Sequence, residues 1–230
     1  MIPVDKTQLF ESLSTQDVPS LLDLLSKAYD QMSLDQRRRV FGNLVKKLPP
    51  EPVDGEVLLG EVENFRRESL AGAYYEPFDV NSKNWTYIPE ETREWFERLG
   101  DLLNASCRLT VQGDHLHAVA CFGILYELIG TMERGDEIVF GDEIGSWMIP
   151  GDEKQYVASY VTSLAATATP EEFTAAALPL LQRDRWQSFA TQAYPAAVQA
   201  ANEAQRTHLE AEIRRQNVPI CATSTTQPAS

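Results

Sequence analysis

The sequence predicts an all-α protein on three observations. Apolar residues recur at three- and four-residue spacing through most of the 230 residues. The segments so patterned begin at Asp, Ser, Thr or Pro and end at Gly or Pro. Alternation of strand length is confined to Glu137–Ile144, where a short hairpin is the alternative. The helices come in pairs with short turns, which predicts antiparallel hairpins stacked as a bundle or a short repeat-like superhelix. Neither a fixed-period repeat nor the tetratricopeptide pattern accompanies them.

In chain order, a short helix is expected around Leu9, Phe10 and Leu13. Asp17 caps the next, with Pro19 in its first turn and Val18, Leu21, Leu22, Leu25, Ala28 and Tyr29 on one stripe. Ser33 with Gln36 makes a capping box for a third, whose apolar stripe is Phe41, Leu44, Val45 and Leu48. Its other face holds Arg37, Arg38, Arg39, Lys46 and Lys47, a solvated basic face. Pro49, Pro50 and Pro52 then form a stiff connector. A helix using Val57, Leu58, Glu61, Val62, Phe65 and Leu70 follows, with Glu61, Glu63 and Glu68 as solvated carboxylates. No Glu-x-x-His occurs to build a di-iron bundle with them.

Residues 74–89 hold Tyr74, Tyr75, Phe78, Trp85 and Tyr87 among turn formers and read as a long irregular loop. Pro89, Glu90 and Glu91 open a helix with Trp95, Phe96, Leu99, Leu102 and Leu103 inward, and with Arg93–Glu97 and Glu94–Arg98 paired outside. From Asp114 the run GDHLHAVACFGILYELIG is apolar on nearly every face, so residues 114–130 are expected to be the buried central helix. At about 16 residues it reads as too short to cross a bilayer. Residues 133–153 leave it as a second irregular loop mixing carboxylates with Ile138, Val139, Phe140, Trp147 and Met148.

Asp152 and Gln155 start a helix on Tyr156, Val157, Tyr160, Val161 and Leu164. Thr169, Pro170 and Glu172 make a capping box with proline at the first position, leading into Phe173, Ala176, Ala177, Leu180 and Leu181. Trp186, Phe189 and Ala190 precede a break or restart at Pro195, and Ala196–Gln216 reads as helix throughout. Residues 1–216 are expected to form one domain, with a sub-boundary available at the connector 49–53, and 217–230 a flexible tail.

Three cysteines at irregular spacing, Cys107, Cys121 and Cys221, do not make a secreted disulfide framework, which points to a reducing cytosol. The N-terminal MIPVDKTQLF lacks the basic start and apolar run of a signal peptide, and no membrane span is expected. The net charge is −14, concentrated in residues 51–101 and 127–153. A surface of that sign repels phosphate backbones and argues against nucleic-acid binding, while favouring cations or a basic protein partner.

For catalysis the sequence lacks a G-x-S-x-G elbow, a phosphate-binding glycine loop and H-E-x-x-H. The pair His117 and Cys121 shares a helical face that Ile124 and Leu128 continue, which makes both core residues, with His115 exposed near the helix start. Cys107, His115, His117 and Cys121 lack the paired spacing of a zinc site. The leading expectation is therefore a non-enzymatic cytosolic interaction domain that presents the two loops, through Trp85, Tyr87, Phe140, Asp142, Glu143 and Trp147, to a protein partner. The first alternative is a Ca2+-type site on Asp136, Glu137, Asp142 and Glu143. A twelve-residue calcium loop begun at Asp136 would place Ile138 and Phe140 at ligand positions, so it would not be an EF-hand. The second alternative is an acidic inhibitor or nucleic-acid mimic that covers a basic partner.

Overall fold

A computed structural model of the chain describes residues 6–32, 36–37, 40–41, 52–140, 145–184 and 193–218. Among these there are nine α-helices and one 3-10 turn, and no strand. Asp142 and Glu143, the basic residues Arg38, Arg39, Lys46 and Lys47, the Ser33 cap, and Leu44, Val45 and Leu48 lie outside the described residues, as do Trp186, Phe189, Ala190, Cys221 and residues 219–230. Contacts divide the chain into Met1–Glu51 and Pro52–Ser230.

The first unit holds α1 (Lys6–Ser14) and α2 (Val18–Gln31). Asp17 caps α2 by accepting from the Ser20 N–H at 3.1 Å, with Pro19 in the first turn, because Asp and Pro satisfy or dispense with N–H groups that have no helical acceptor. Gln36, Arg37, Val40 and Phe41 are helical. Phe41 lies 5.6 Å from the Tyr29 ring, and the Arg37 guanidinium stands 4.4 Å over that ring.

The second unit contains α3 (Gly55–Leu70), α4 (Glu90–Gln112), α5 (His115–Glu133), α6 (Glu153–Thr167), α7 (Pro170–Asp184), α8 (Ala193–Ala200) and α9 (Glu203–Gln216). Helix α5 packs against α3, α4 and α6, while α7 lies on α6, α8 and α9. The fully buried Trp95, Phe65, Phe96, Phe122, Tyr156 and Phe173 come from five different helices and fill the space between them. The Trp95 indole N–H donates to Ser69 Oγ at 2.9 Å, which in turn donates to the Phe65 carbonyl, so these two buried polar side chains satisfy each other. Thr169 and Glu172 form the reciprocal capping box at the start of α7, at 2.9 and 3.3 Å.

Several expectations are corrected. Helix α5 runs 19 residues, long and apolar enough by composition to cross a membrane, but 44% of its apolar window is buried within the protein. It is also not buried all round: Cys121, Phe122, Leu125 and Leu128 are inside, whereas Leu116 is 72% exposed and Ala120, Gly123 and Ile124 are half-buried. Three neighbouring helices cover three sides of a cylinder and leave a fourth. For the same reason Val57 and Leu70 of α3 face outward while Leu58, Val62 and Phe65 face inward.

Arg98 reaches Glu68 on α3 at 3.0 Å and the Tyr74 hydroxyl at 3.0 Å instead of Glu94, so Glu68 is a structural partner and not a solvated carboxylate. Glu137 and Ile138 form a turn and no strand runs through residues 137–140, while residues 141–144 of the expected hairpin lie outside the described residues. The run 196–216 is two helices, because Asn202 and Gln205 make a capping box that starts α9 afresh.

Candidate functional site

The two irregular stretches expected to carry function meet in space. Their junction is Phe140, whose ring stands edge-on to Tyr75 (5.7 Å, 86°) and to Phe78 (5.1 Å, 77°); Phe78 in turn meets Tyr87 edge-on (5.3 Å, 80°). Edge-to-face contact places the positive rim of one ring on the negative face of the next, about 0.5–1.5 kcal/mol per pair beyond area burial. The backbone of Phe140 is fixed as well. Thr92 Oγ1, fully buried at the start of α4, donates to the Phe140 carbonyl at 3.1 Å and accepts from its N–H at 3.4 Å.

Each loop has its own anchor. In the first, Tyr74 is buried against Phe65 (5.7 Å) and bonded to Arg98. Burial pushes the Tyr74 hydroxyl pKa up, although the Arg98 charge pulls it back. In the second, Ile138 is buried and Pro150 lies on Gly100 of α4, where a Cβ would stand 3.0 Å from the proline ring. The Tyr156 hydroxyl donates to the Pro150 carbonyl at 2.7 Å. The second loop thus follows α4 from Thr92 to Gly100, about 12 Å at 1.5 Å per residue.

Between these anchors residues 79–87 fold on their own polar side chains. The Asn81 N–H donates to Asn84 Oδ1 (2.7 Å), the Lys83 N–H to Asn81 Oδ1 (3.0 Å), and Asn84 Nδ2 to the Asp79 carbonyl (2.9 Å). Asn side chains that mimic a backbone turn are a standard use of that residue. The result holds Trp85 50% and Tyr87 53% exposed. Trp147, on the 3-10 turn Ser146–Met148, is 61% exposed above the buried Ser146. Of the expected partner-binding residues, Trp85, Tyr87 and Trp147 are exposed and Phe140 is half-buried against Tyr75 and Phe78; Asp142 and Glu143 lie outside the described residues. Glu76, Asp79, Asp136 and Glu137 are exposed on the same two loops.

The catalytic and metal candidates are placed differently. His117 is half-exposed, its Nδ1 2.9 Å from both oxygens of Asp114, so it is not a core residue. His115 is half-buried and bonds Ser163 Oγ at 3.2 Å. Ser163 also meets Thr110 Oγ1 at 2.9 Å and is fully buried, so this serine–histidine contact joins α4, α5 and α6 without offering a reachable nucleophile. Burial pushes the Cys107 thiol up and that of Cys121 to about 11, which keeps both protonated and unreactive at neutral pH. Among the described residues no three His, Cys, Asp or Glu side chains converge as a metal site.

One buried ionic group was not foreseen. Arg183 of α7 binds Glu153 at 2.6 Å and Glu133 at 2.9 Å, with its guanidinium 5.6 Å from the Tyr126 ring. Burial alone would lower the Arg183 pKa, but the two carboxylates outweigh it and raise it. This clamp ties the end of α5 to the start of α6, the two ends of the second loop. Arg183 lies 30 residues from Glu153 and 50 from Glu133, separations no local pattern encodes. Compared with family models, curated proteins and solved structures, the chain matches none.

Proposed function

We propose that this chain is a non-enzymatic, cytosolic protein-interaction domain, and that loops 74–89 and 133–153 form one binding face. The observation that carries the reading is the ring series Tyr75–Phe140–Phe78–Tyr87, which joins the loops and leaves Trp85 and Tyr87 outward on a hydrogen-bonded turn. Exposed Trp and Tyr held in a fixed geometry lose little entropy on binding and dominate interface energetics. The helical hairpins serve as the rigid frame for both loops. With Glu76, Asp79, Asp136 and Glu137 around the rings, the partner surface is basic with an apolar centre.

The test is affinity capture from lysate with the wild type, a Trp85→Ala/Tyr87→Ala variant and an Asp142→Lys/Glu143→Lys variant. The aromatic variant should lose about 2 kcal/mol or more of binding, roughly thirtyfold, with its melting temperature unchanged. Equal capture of a specific protein by all three correctly folded forms would refute the proposal.

A further inference from the structure

Arg183 uses every nitrogen of its guanidinium on two carboxylates. Nε and Nη2 donate to the two oxygens of Glu133 at 3.2 and 2.9 Å, and Nη1 donates to Glu153 Oε1 at 2.6 Å. Glu133 is the last residue of α5 and Glu153 the first of α6, so residues 134–152 begin and end on one side chain of α7. The group is mostly inside the protein, with the side chains of Arg183, Glu133 and Glu153 exposed by 19%, 29% and 10%. Helix electrostatics accounts for Glu153, which stands at the positive start of α6, but not for Glu133, which stands at the negative end of α5. Stability does not account for the group either, because well-packed apolar side chains of similar volume often match a buried ionic cluster. What an apolar replacement lacks is direction. A planar fork fixes the distance and the angle of both carboxylates at once.

We propose that Arg183 is the positioning residue of the face formed by loops 74–89 and 133–153, holding the last turn of α5 and the first turn of α6 in the one arrangement in which the second loop presents its aromatic residues. This rests on the reading of the two loops as a binding face. Between Glu133 and Glu153 the chain is anchored on α4, through the Phe140 backbone at Thr92 and through Pro150 at Gly100. Trp147 stands outward between those anchors. Anchors on one helix leave the two ends of the stretch to follow helix termini, which fray. The fork removes that freedom and so lowers the ordering cost of binding at the face. Helix α7 itself packs on α6, α8 and α9, so through Arg183 the C-terminal helices bear on the geometry of the second loop.

Hydrogen exchange of the full chain, read at single amides, separates positioning from stability and needs no partner. In Arg183→Met/Glu133→Gln/Glu153→Gln the whole ionic group is replaced, so no unpaired charge remains. Its melting temperature is expected near that of the wild type. The amides of Ile138, Met148 and Ile149, which donate to the carbonyls of Asp136, Gly145 and Ser146, should nevertheless exchange about tenfold faster or more. Amides of α4 between Leu99 and Leu103 should keep their protection. Val62→Ala, which opens a cavity in the core face of α3, should show the reverse, with faster exchange in α4 and unchanged loop amides. Arg183→Lys keeps the charge without the fork and should also speed loop exchange. Wild-type protection of the loop amides in the triple variant, or in Arg183→Lys should the triple variant unfold, overturns the proposal. So does an acceleration no greater than that in α4, which would be general loosening. Failed capture with accelerated loop exchange sinks the binding face and not the clamp; successful capture with unchanged exchange does the converse.

Discussion

Two glycines of α3 should respond to the same substitution with opposite signs. Gly55 is the first residue of the helix and is buried against the Asp114–His117 pair; a Cβ built there collides with Asp114 Oδ2 and stands 2.5 Å from His117 Nδ1, far inside contact distance. That pair is the cap of α5, with Asp114 accepting from the His117 N–H and from its ring. The same corner is held by Gln112, whose side-chain amide bonds both the N–H and the carbonyl of Val53, at 2.8 and 2.9 Å. The collision is relieved only by displacing a capping side chain, which costs about 1 kcal/mol, or by shifting packed helices, which costs about 1–3 kcal/mol. Removing glycine from a helix returns about 0.5–1 kcal/mol, less at the first position than in the middle.

Gly55→Ala should therefore destabilise by about 1–2 kcal/mol. Gly60, exposed and with nothing within 4 Å of a built Cβ, should gain about 0.5–1 kcal/mol as alanine. Urea melts followed by dichroism give both values. In a chain of this length they correspond to a fall of about 2–8 °C and a rise of about 1–4 °C in Tm. Adding His117→Ala should make Gly55→Ala cheaper, because the two then no longer compete for one space. A Gly55→Ala protein as stable as Gly60→Ala would refute the close approach of α3 to that corner.

Thr92→Val should lower stability by about 1–3 kcal/mol in urea melts, since it leaves the N–H and carbonyl of Phe140 without their shared partner. Arg183→Met leaves Glu133 and Glu153 facing each other in a mostly buried site; with Arg183 19% exposed the loss should be about 2–4 kcal/mol, and a smaller one would mean the clamp is dispensable. The protein should also lose stability in alkali. Burial raises the pKa of Cys121 from 9.0 to about 11 and of Tyr156 from 10.0 to about 12, and raises Tyr74, Tyr126 and Tyr160 as well. The unfolded chain then releases these protons first, so stability is intact below pH 9.0 and falls above it. Cys121 alone accounts for roughly 2–3 kcal/mol by pH 11. Denaturation midpoints measured from neutral pH upward check the sign, and Cys121→Ala should flatten the slope.

What the sequence made legible was local. The cap at Asp17 and the box at Thr169 lie within three residues of their partners, and both appear at the helix starts expected of them. The signal at Asn202 and Gln205 is of the same kind, but alanine-rich flanks with high helix propensity masked the break. Apolar composition identified α5 as a core helix, yet composition does not say how many neighbours cover it, and Leu116 and Ile124 took the uncovered side. The aromatic loops were visible as unusual stretches. That Phe140 would meet Phe78, and Arg98 find Glu68, depends on chain segments tens of residues apart, which periodicity does not reach. His117 was misplaced for a related reason: its helical face is apolar, but its ring turns back to Asp114.

The claim on which the functional reading stands is that the two loops form one unit. A double-mutant cycle on Phe78→Ala and Phe140→Ala, read as unfolding free energy, tests it most directly. The two effects should be coupled by about 0.5–1.5 kcal/mol, as for other edge-to-face aromatic pairs. Strictly additive losses would mean that the rings do not touch in solution and that each loop has to be explained alone.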